Sequence, residues 1–211
     1  MSKLLLIGLL VLGCEAVASP SETLVGGPCE GCEAVFMGRP AKLAAAARIA
    51  PPDESGDRLV IEGTVVDAAK RPVAGVIVYA YHTDASGVYP KSPPGTKHRH
   101  GRLRGFALTG RDGGYRFDTI RPVGYPKTDI PQHVHMHVVE RGRCHYFIDD
   151  IVFTDDPRLT AEQRPKYAHG RGGLGIATPT RDKAGTWRVR RDISLGAGIS
   201  DYARCSGTLA K

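Results

Sequence analysis

The chain has 211 residues, 41% hydrophobic and 24% charged, the length and balance of one globular domain, which excludes wholesale disorder. Its 26 Gly follow no three-residue period, which excludes collagen, and no apolar run past residue 20 approaches the roughly 20 residues that span a bilayer. With 29 Lys and Arg against 22 Asp and Glu the net charge is +7, which favours anionic partners without choosing among them.

Residues 1–18 read as an export signal: Lys3 precedes an apolar run from Leu4 to Leu12 broken only by Gly8, too short to span a membrane. Two processing sites compete. Val11-Leu12-Gly13-Cys14 resembles the box at which bacterial lipoproteins are cut before a cysteine that then carries lipid, whereas Ala16-Val17-Ala18 is of the ordinary small-residue type. The expected location is periplasmic or extracellular, with membrane contact only through a lipid on Cys14. Cys29, Cys32, Cys144 and Cys205 then remain, and in an exported chain they allow two disulfides with three possible connectivities. Cys29-Glu30-Gly31-Cys32 also has the spacing of a redox or zinc half-site. No second CxxC pairs with it and no strand–helix pattern surrounds it, so structural staples are expected.

Residues 19–57 form an arm rich in Gly, Pro and Ala, with a helical stretch expected over 39–49 and stopped by Pro51-Pro52. From Arg58 the texture becomes that of strands, at 59–67 and 76–82 around a turn over 68–72. A hairpin of 106–109 and 115–120 follows around Gly110–Gly114, then strands at 133–139, 146–153 and 187–193. A weak helical turn is expected around 160–167, and 171–185 reads as a loop. The fold class is all-β: an antiparallel β-sandwich over residues 58–205, with an N-terminal arm, long loops and a tail at 206–211.

The densest polar feature is His133-Val134-His135-Met136-His137. Side chains alternate along a strand, so the three imidazoles share one face and Val134 and Met136 the other. Neighbours two apart can converge on one metal; His137 lies a step further along, as a supporting or packing residue. No HExxH occurs and no carboxylate sits in that strand, so zinc-peptidase and two-His-one-carboxylate sites lack their obvious parts. Tyr89, and Tyr125 locked between Gly124 and Pro126, stand at turn positions whose backbones aim them. Asp149-Asp150 and Asp155-Asp156 lack the grammar of a calcium loop and read as surface turns.

Together, Ser86-Gly87-Val88-Tyr89, the run from Tyr115 to Tyr125-Pro126, and Pro131-Gln132-His133-Val134-His135 closely resemble the intradiol ring-cleavage dioxygenases, the family of protocatechuate 3,4-dioxygenase and catechol 1,2-dioxygenase. The resemblance runs from about residue 58 to 157. It implies that Tyr89, Tyr125, His133 and His135 hold Fe(III), with Tyr125 also catalytic, as the ligand that yields to substrate and takes one of its protons. It further implies a small catecholic substrate and O2, with cleavage between the two hydroxylated carbons to a muconate-type dicarboxylate. The chemistry is coherent, because a trivalent ion holds a phenol as phenolate and two hard oxygens favour the ferric state.

One departure stands out. Familiar members of the family carry an Arg directly before the Pro-x-His-x-His run, where this chain has Ile130. Arg104, with Arg102, His98 and His100 as alternatives, is the candidate for the missing cation. The rival reading is a non-catalytic transthyretin-like or carboxypeptidase-regulatory-like β-sandwich binding module, which expects no metal and indifference to Tyr125→Phe. Nucleic acid is not an expected partner: no recognised motif occurs, and 7% aromatic content offers no stacking platform. Nothing in the sequence sets an oligomeric state.

Overall fold

The computed structural model describes residues 22–29, 31–92 and 99–209; the export signal with Cys14, and His98, lie outside them. In chain order the strands are β1 (Thr23–Leu24), β2 (Ala46–Arg48), β3 (Arg58–Val66), β4 (Val76–Tyr81), β5 (Arg104–Leu108) and β6 (Gly114–Ile120). They continue with β7 (His133–Glu140), β8 (Cys144–Phe153), β9 (Ile176–Ala177), β10 (Thr180–Arg181), β11 (Trp187–Arg190) and β12 (Ile193–Ser194). One sheet has the order β1-β8-β7-β4-β5 with β9 added on β8; the other has β10-β11-β3-β6-β2 with β12 added on β3.

Period-two alternation explains the layering. Val76, Val78 and Ala80 of β4 and Val134, Met136 and Val138 of β7 face Ile61, Val65 and Phe117 of the second sheet, all essentially without exposure. On the outer face of the first sheet, Ile77, Tyr79 and Tyr81 form a second apolar cluster with Phe106 and Val139, closed over by Val35 and Phe36 of the arm. β4 is therefore buried on both faces. The outer face of this sheet, beside that cluster, is where the three histidines of β7 emerge.

The long central pairs are antiparallel, as expected, but short segments from the arm and the C-terminal region join in parallel: β1 on β8, β2 on β6, β9 on β8, and β11 and β12 on β3. The sandwich is thus mixed. These segments reach the sheets after long excursions, which parallel pairing requires and tight hairpins do not supply.

Two local expectations are corrected. The alanine-rich stretch at 39–49 is not helical: it contains β2, and its carbonyls close one side of the sandwich, Ala44 O accepting from Leu108 N and Ala45 O from Arg116 N. Flanked by Pro40 and Pro51, it gains more from these tertiary bonds than from helix propensity. Segments 106–109 and 115–120 do not pair as a hairpin, since β5 bonds β4 in one sheet and β6 bonds β3 in the other. The Gly110–Gly114 turn instead arches across the core, with Gly113 at φ 71° in a place where a Cβ would meet Val65 O at 2.5 Å. Around 160–167 the helical turn is a short 3-10 helix at Arg164–Tyr167. The stretch 171–185 carries β9 and β10 and packs on β8, so closely that a Cβ on Gly175 would stand 2.1 Å from Asp150 O.

The cysteines pair as Cys29–Cys32 and Cys144–Cys205. The second bridge ties the C-terminal segment to β8 across 61 residues, a closure that stabilises by about 4 kcal/mol in the chain-entropy picture.

His82, fully buried at the end of β4, bonds Thr83 O through Nδ1 (2.7 Å) and Thr119 Oγ1 through Nε2 (2.7 Å). Burial lowers its pKa from 6.5 to about 4. As pH falls the unfolded chain therefore takes up this proton first, so stability is full above about pH 6.5 and declines between there and about pH 4, by up to about 1.4 kcal/mol per pH unit. Urea titrations across that window should show a shallower acid decline for His82→Gln; an unchanged slope would contradict the assignment.

Candidate metal centre

The centre starts from an irregularity in the sheet. Along the β7–β8 ladder Val134 opposes Ile151 and Met136 opposes Ile148, so Asp149 and Asp150 together oppose His135 alone. This β-bulge re-aims both carboxylates. Asp149 turns away to accept from Gly170 N (2.8 Å), and Asp150 Oδ1 lies 3.1 Å from His135 Nδ1. Burial pushes the Asp150 carboxyl up, but the imidazoles of His135, His133 and His137 outweigh it and leave the pKa below the ordinary carboxylate value. An ionised carboxylate can only accept, so His135 Nδ1 donates to it, which in the neutral ring leaves Nε2 as the lone-pair nitrogen. His133 is set in the same tautomer by a bond from Nδ1 to Pro131 O (2.7 Å). The two Nε2 atoms then face each other at 3.2 Å.

Two glycine-bearing loops bring the phenols. After β4, Asp84 Oδ1 accepts from Ser86 N (2.8 Å) and Val88 N (3.3 Å), a turn that swings Tyr89 over the sheet. Gly87 has φ 78°, and a Cβ there would stand 2.5 Å from Gly124 O. The loop carrying Tyr125 is laced to the first by Thr83 Oγ1 donating to Val123 O (2.7 Å) and Val123 N donating to Asp84 O (3.3 Å). Beneath it Arg158 Nη1 donates to both Tyr125 O (3.2 Å) and Ile130 O (3.3 Å), clamping the two ends of the loop. A Cβ on Gly124 would strike that guanidinium at 2.3 Å.

The structure thus brings together all four residues singled out by the sequence. Tyr89 Oη lies 2.5 Å from Tyr125 Oη and 2.9 Å from His135 Nε2, which in turn lies 3.2 Å from His133 Nε2. Atoms each about 2 Å from a single ion stand roughly 3 Å apart, so these spacings fit a common metal. The donor chemistry fits as well. Two lone pairs facing each other repel unless a cation lies between them, and burial and Tyr125 hold the Tyr89 phenol far above its ordinary pKa, so only a highly charged cation would ionise it. Asp150 clusters with the two histidines, but its bond runs to Nδ1, across the ring from Nε2, so it orients the His135 ring and does not stand beside Nε2 as a further donor.

Above Tyr89, Tyr125 and His135 opens a cleft of about 530 Å³, lined also by Tyr81, Phe147 and Tyr167 and by the cationic side chains Arg99, Lys166 and Arg171. Arg104 is not among the residues that line it: its guanidinium donates to Ala34 O (3.3 Å) and Met37 O (2.6 Å) and holds the arm. Arg102 pairs with Glu54. Of the cation candidates among the described residues only His100 reaches the cleft wall, and Ile130 offers its carbonyl to Arg158. His137 is buried beside Tyr79 and Tyr81, its pKa brought down to about 3 by burial and by His100.

Asp150 and Arg158 escaped the sequence reading. A carboxylate pair inside an otherwise apolar strand signal was the available clue for Asp150, because buried acids need partners. Arg158 left none, since it works through backbone carbonyls.

A family sequence model described as "Dioxygenase" matches residues 34–166. Catechol 1,2-dioxygenase 1 of Acinetobacter lwoffii is 43% identical over 74 residues, 35% of this chain and 24% of that protein. Chlorocatechol 1,2-dioxygenase of Rhodococcus opacus is 29% identical over 145 residues, 61% of this chain and 54% of that protein. The chain thus spans about half or less of the length of these relatives. Among solved structures, the dioxygenase domain of a dioxygenase–carbohydrate-binding protein fusion from Streptomyces sp. SirexAA-E shares the fold, with TM-score 0.54 and 21% identity over 74% of this chain and 90% of that one.

Proposed function

Since the chain belongs to the intradiol dioxygenase family, we propose that it opens the ring of a catecholic compound between the two hydroxylated carbons, using O2 and a ferric ion held by Tyr89, Tyr125, His133 and His135. Family members are iron-dependent in general. The observation that carries the reading is the meeting of two phenol oxygens and two imidazole lone pairs at 2.5–3.2 Å beneath an open cleft. When bound, ferric iron keeps both phenols ionised and draws electron density from a catecholate, exposing the ring to O2.

The chain's own residues supply placement and proton handling. Tyr125 would help hold the ion, and its oxygen would take one of the incoming diol's protons. The cleft walls of Tyr81, Phe147 and Tyr167 offer the aromatic ring an apolar slot, and the cationic side chains Arg99, Lys166 and Arg171 that also line it favour an anionic substrate or product. Export is part of the same proposal, supported by two disulfides, which persist in oxidising compartments.

The direct test supplies catechol and isotopically labelled dioxygen to the iron-loaded protein. A ring-opened diacid carrying both labelled atoms is expected; quinone with no ring opening would overturn the proposal. Asp150→Ala, which frees the His135 ring, should weaken iron binding by about 10–100-fold in competition with a chelator, while Asp150→Asn retains an acceptor and most of the affinity. Equal affinity in Asp150→Ala and the parent would remove Asp150 from this role.

A further inference from the structure

The Cys29–Cys32 bridge has no part in that chemistry, yet Cys29 lines the cleft beside His100. Between the two cysteines Gly31 adopts φ 74°, and a Cβ there would stand 2.5 Å from His100 Nε2, so the bridged turn lies directly on that imidazole. His100 passes the contact inward. Its Nδ1 is 2.8 Å from Tyr79 Oη, its ring stacks on Tyr81 at 3.7 Å and 3°, and Tyr81 stacks on His135 at 4.5 Å and 24°. Three rings in file therefore connect the disulfide turn to the candidate metal centre.

Accessibility separates the two bridges. Cys29 is partly exposed, whereas Cys144 and Cys205 are buried at 0% and 4%. Beyond Cys32 the chain is anchored independently of the sulfur bond. Ala34 and Val35 are buried, Val35 within the cluster of Tyr79 and Tyr81, and Arg104 holds the carbonyls of Ala34 and Met37. Opening the bridge thus frees Cys29 and leaves Gly31 held over His100 only through Ala34 N donating to Gly31 O (2.8 Å), so the turn loosens while the arm stays anchored.

We propose that Cys29–Cys32 is a thiol–disulfide exchange site for a dithiol reductant, and that its reduction loosens the His100–Tyr81 wall behind His135. The exchange itself is independent of the iron reading; only its effect on the metal rests on it. In the first step a thiolate of the reductant attacks the sulfur of the partly exposed Cys29, forming a mixed disulfide and expelling Cys32 as thiolate, which takes up a proton. The second thiol of the reductant then attacks its own sulfur in the mixed disulfide and releases Cys29. Two electrons and two protons pass to the protein, and the reductant leaves as its disulfide.

The test treats the folded full chain with graded mixtures of reduced and oxidised dithiothreitol and maps thiols by alkylation and mass spectrometry. Alkylation at Cys29 and Cys32 is expected while Cys144–Cys205 stays closed; both bridges opening together, only on unfolding, would overturn the proposal. Hydrogen exchange of peptides spanning Tyr81 and His100 reads the coupling without iron, and should rise several-fold in Cys29→Ser/Cys32→Ser. It should also rise in Gly31→Ala, where the bridge is intact but the turn is displaced. Parent-like exchange in both variants would refute the coupling. In the iron-loaded protein the serine variant, which needs no reductant, should release iron to a chelator several-fold faster. A parent chain that binds no iron would count against the enzymatic reading and leave the thiol and exchange results to decide this one.

Discussion

Replacing His133 or His135 by Ala is expected to abolish stoichiometric iron binding, whereas His137→Ala retains at least part of it. The three histidines share one face of β7, but their surroundings differ. His133 and His135 have their Nδ1 atoms committed to Pro131 O and Asp150 Oδ1, which leaves both Nε2 lone pairs facing the phenol oxygens. In the proposed centre, losing either imidazole would remove one of four protein donors and leave its neighbours without a shared cation. His137 instead sits 97% out of solvent among Tyr79, Tyr81 and His100, with no hydrogen bond to Nδ1 among the described residues. Its replacement therefore acts on packing. Metal analysis after reconstitution and desalting, with thermal melts to establish folding, separates the cases. Stoichiometric iron in both His133→Ala and His135→Ala would overturn the ligand assignment.

Tyr125→Phe is expected to lower kcat/KM for ring opening by about 10³-fold while part of the iron remains bound, because three donors persist and the ring volume is unchanged. What the variant lacks is the oxygen 2.5 Å from Tyr89 Oη, the atom proposed to give way to substrate and take its proton. The loop itself should hold, since Arg158 grips its backbone and Thr83 and Asp84 tie it at Val123. Steady-state assays over a pH series check this outcome. Indifference to the substitution is what a binding module without chemistry expects.

Much of this was legible in the sequence, and the reasons differ from residue to residue. The histidine strand was readable because alternation alone puts His133 and His135 on one side, and the structure keeps Val134 and Met136 in the core as that pattern requires. The meeting of Tyr89 and Tyr125 was not derivable from spacing; it depended on family resemblance, and its physical cause is the close passage of Gly87 by Gly124. Asp149-Asp150 read as a surface turn because nothing local marks a bulge, which exists only once β8 is laid against β7. The helix expected over 39–49 followed the propensity of its alanines and could not anticipate the carbonyl bonds to Leu108 and Arg116. Arg104 offered a cation on a loop expected to face the site, but the arm folds back and takes its guanidinium. Disulfide partners were undecidable for the same kind of reason, since Cys144 and Cys205 meet only through tertiary structure.

Two phenolates and two imidazoles around a single ferric ion would leave a visible signature, which an absorption titration of the metal-free protein with iron reads. A burgundy tyrosinate-to-iron charge-transfer band is expected that saturates at one equivalent, shifts when catechol is added, and weakens in both Tyr89→Phe and Tyr125→Phe. Iron that binds with no visible band, or a band untouched by either substitution, would contradict it.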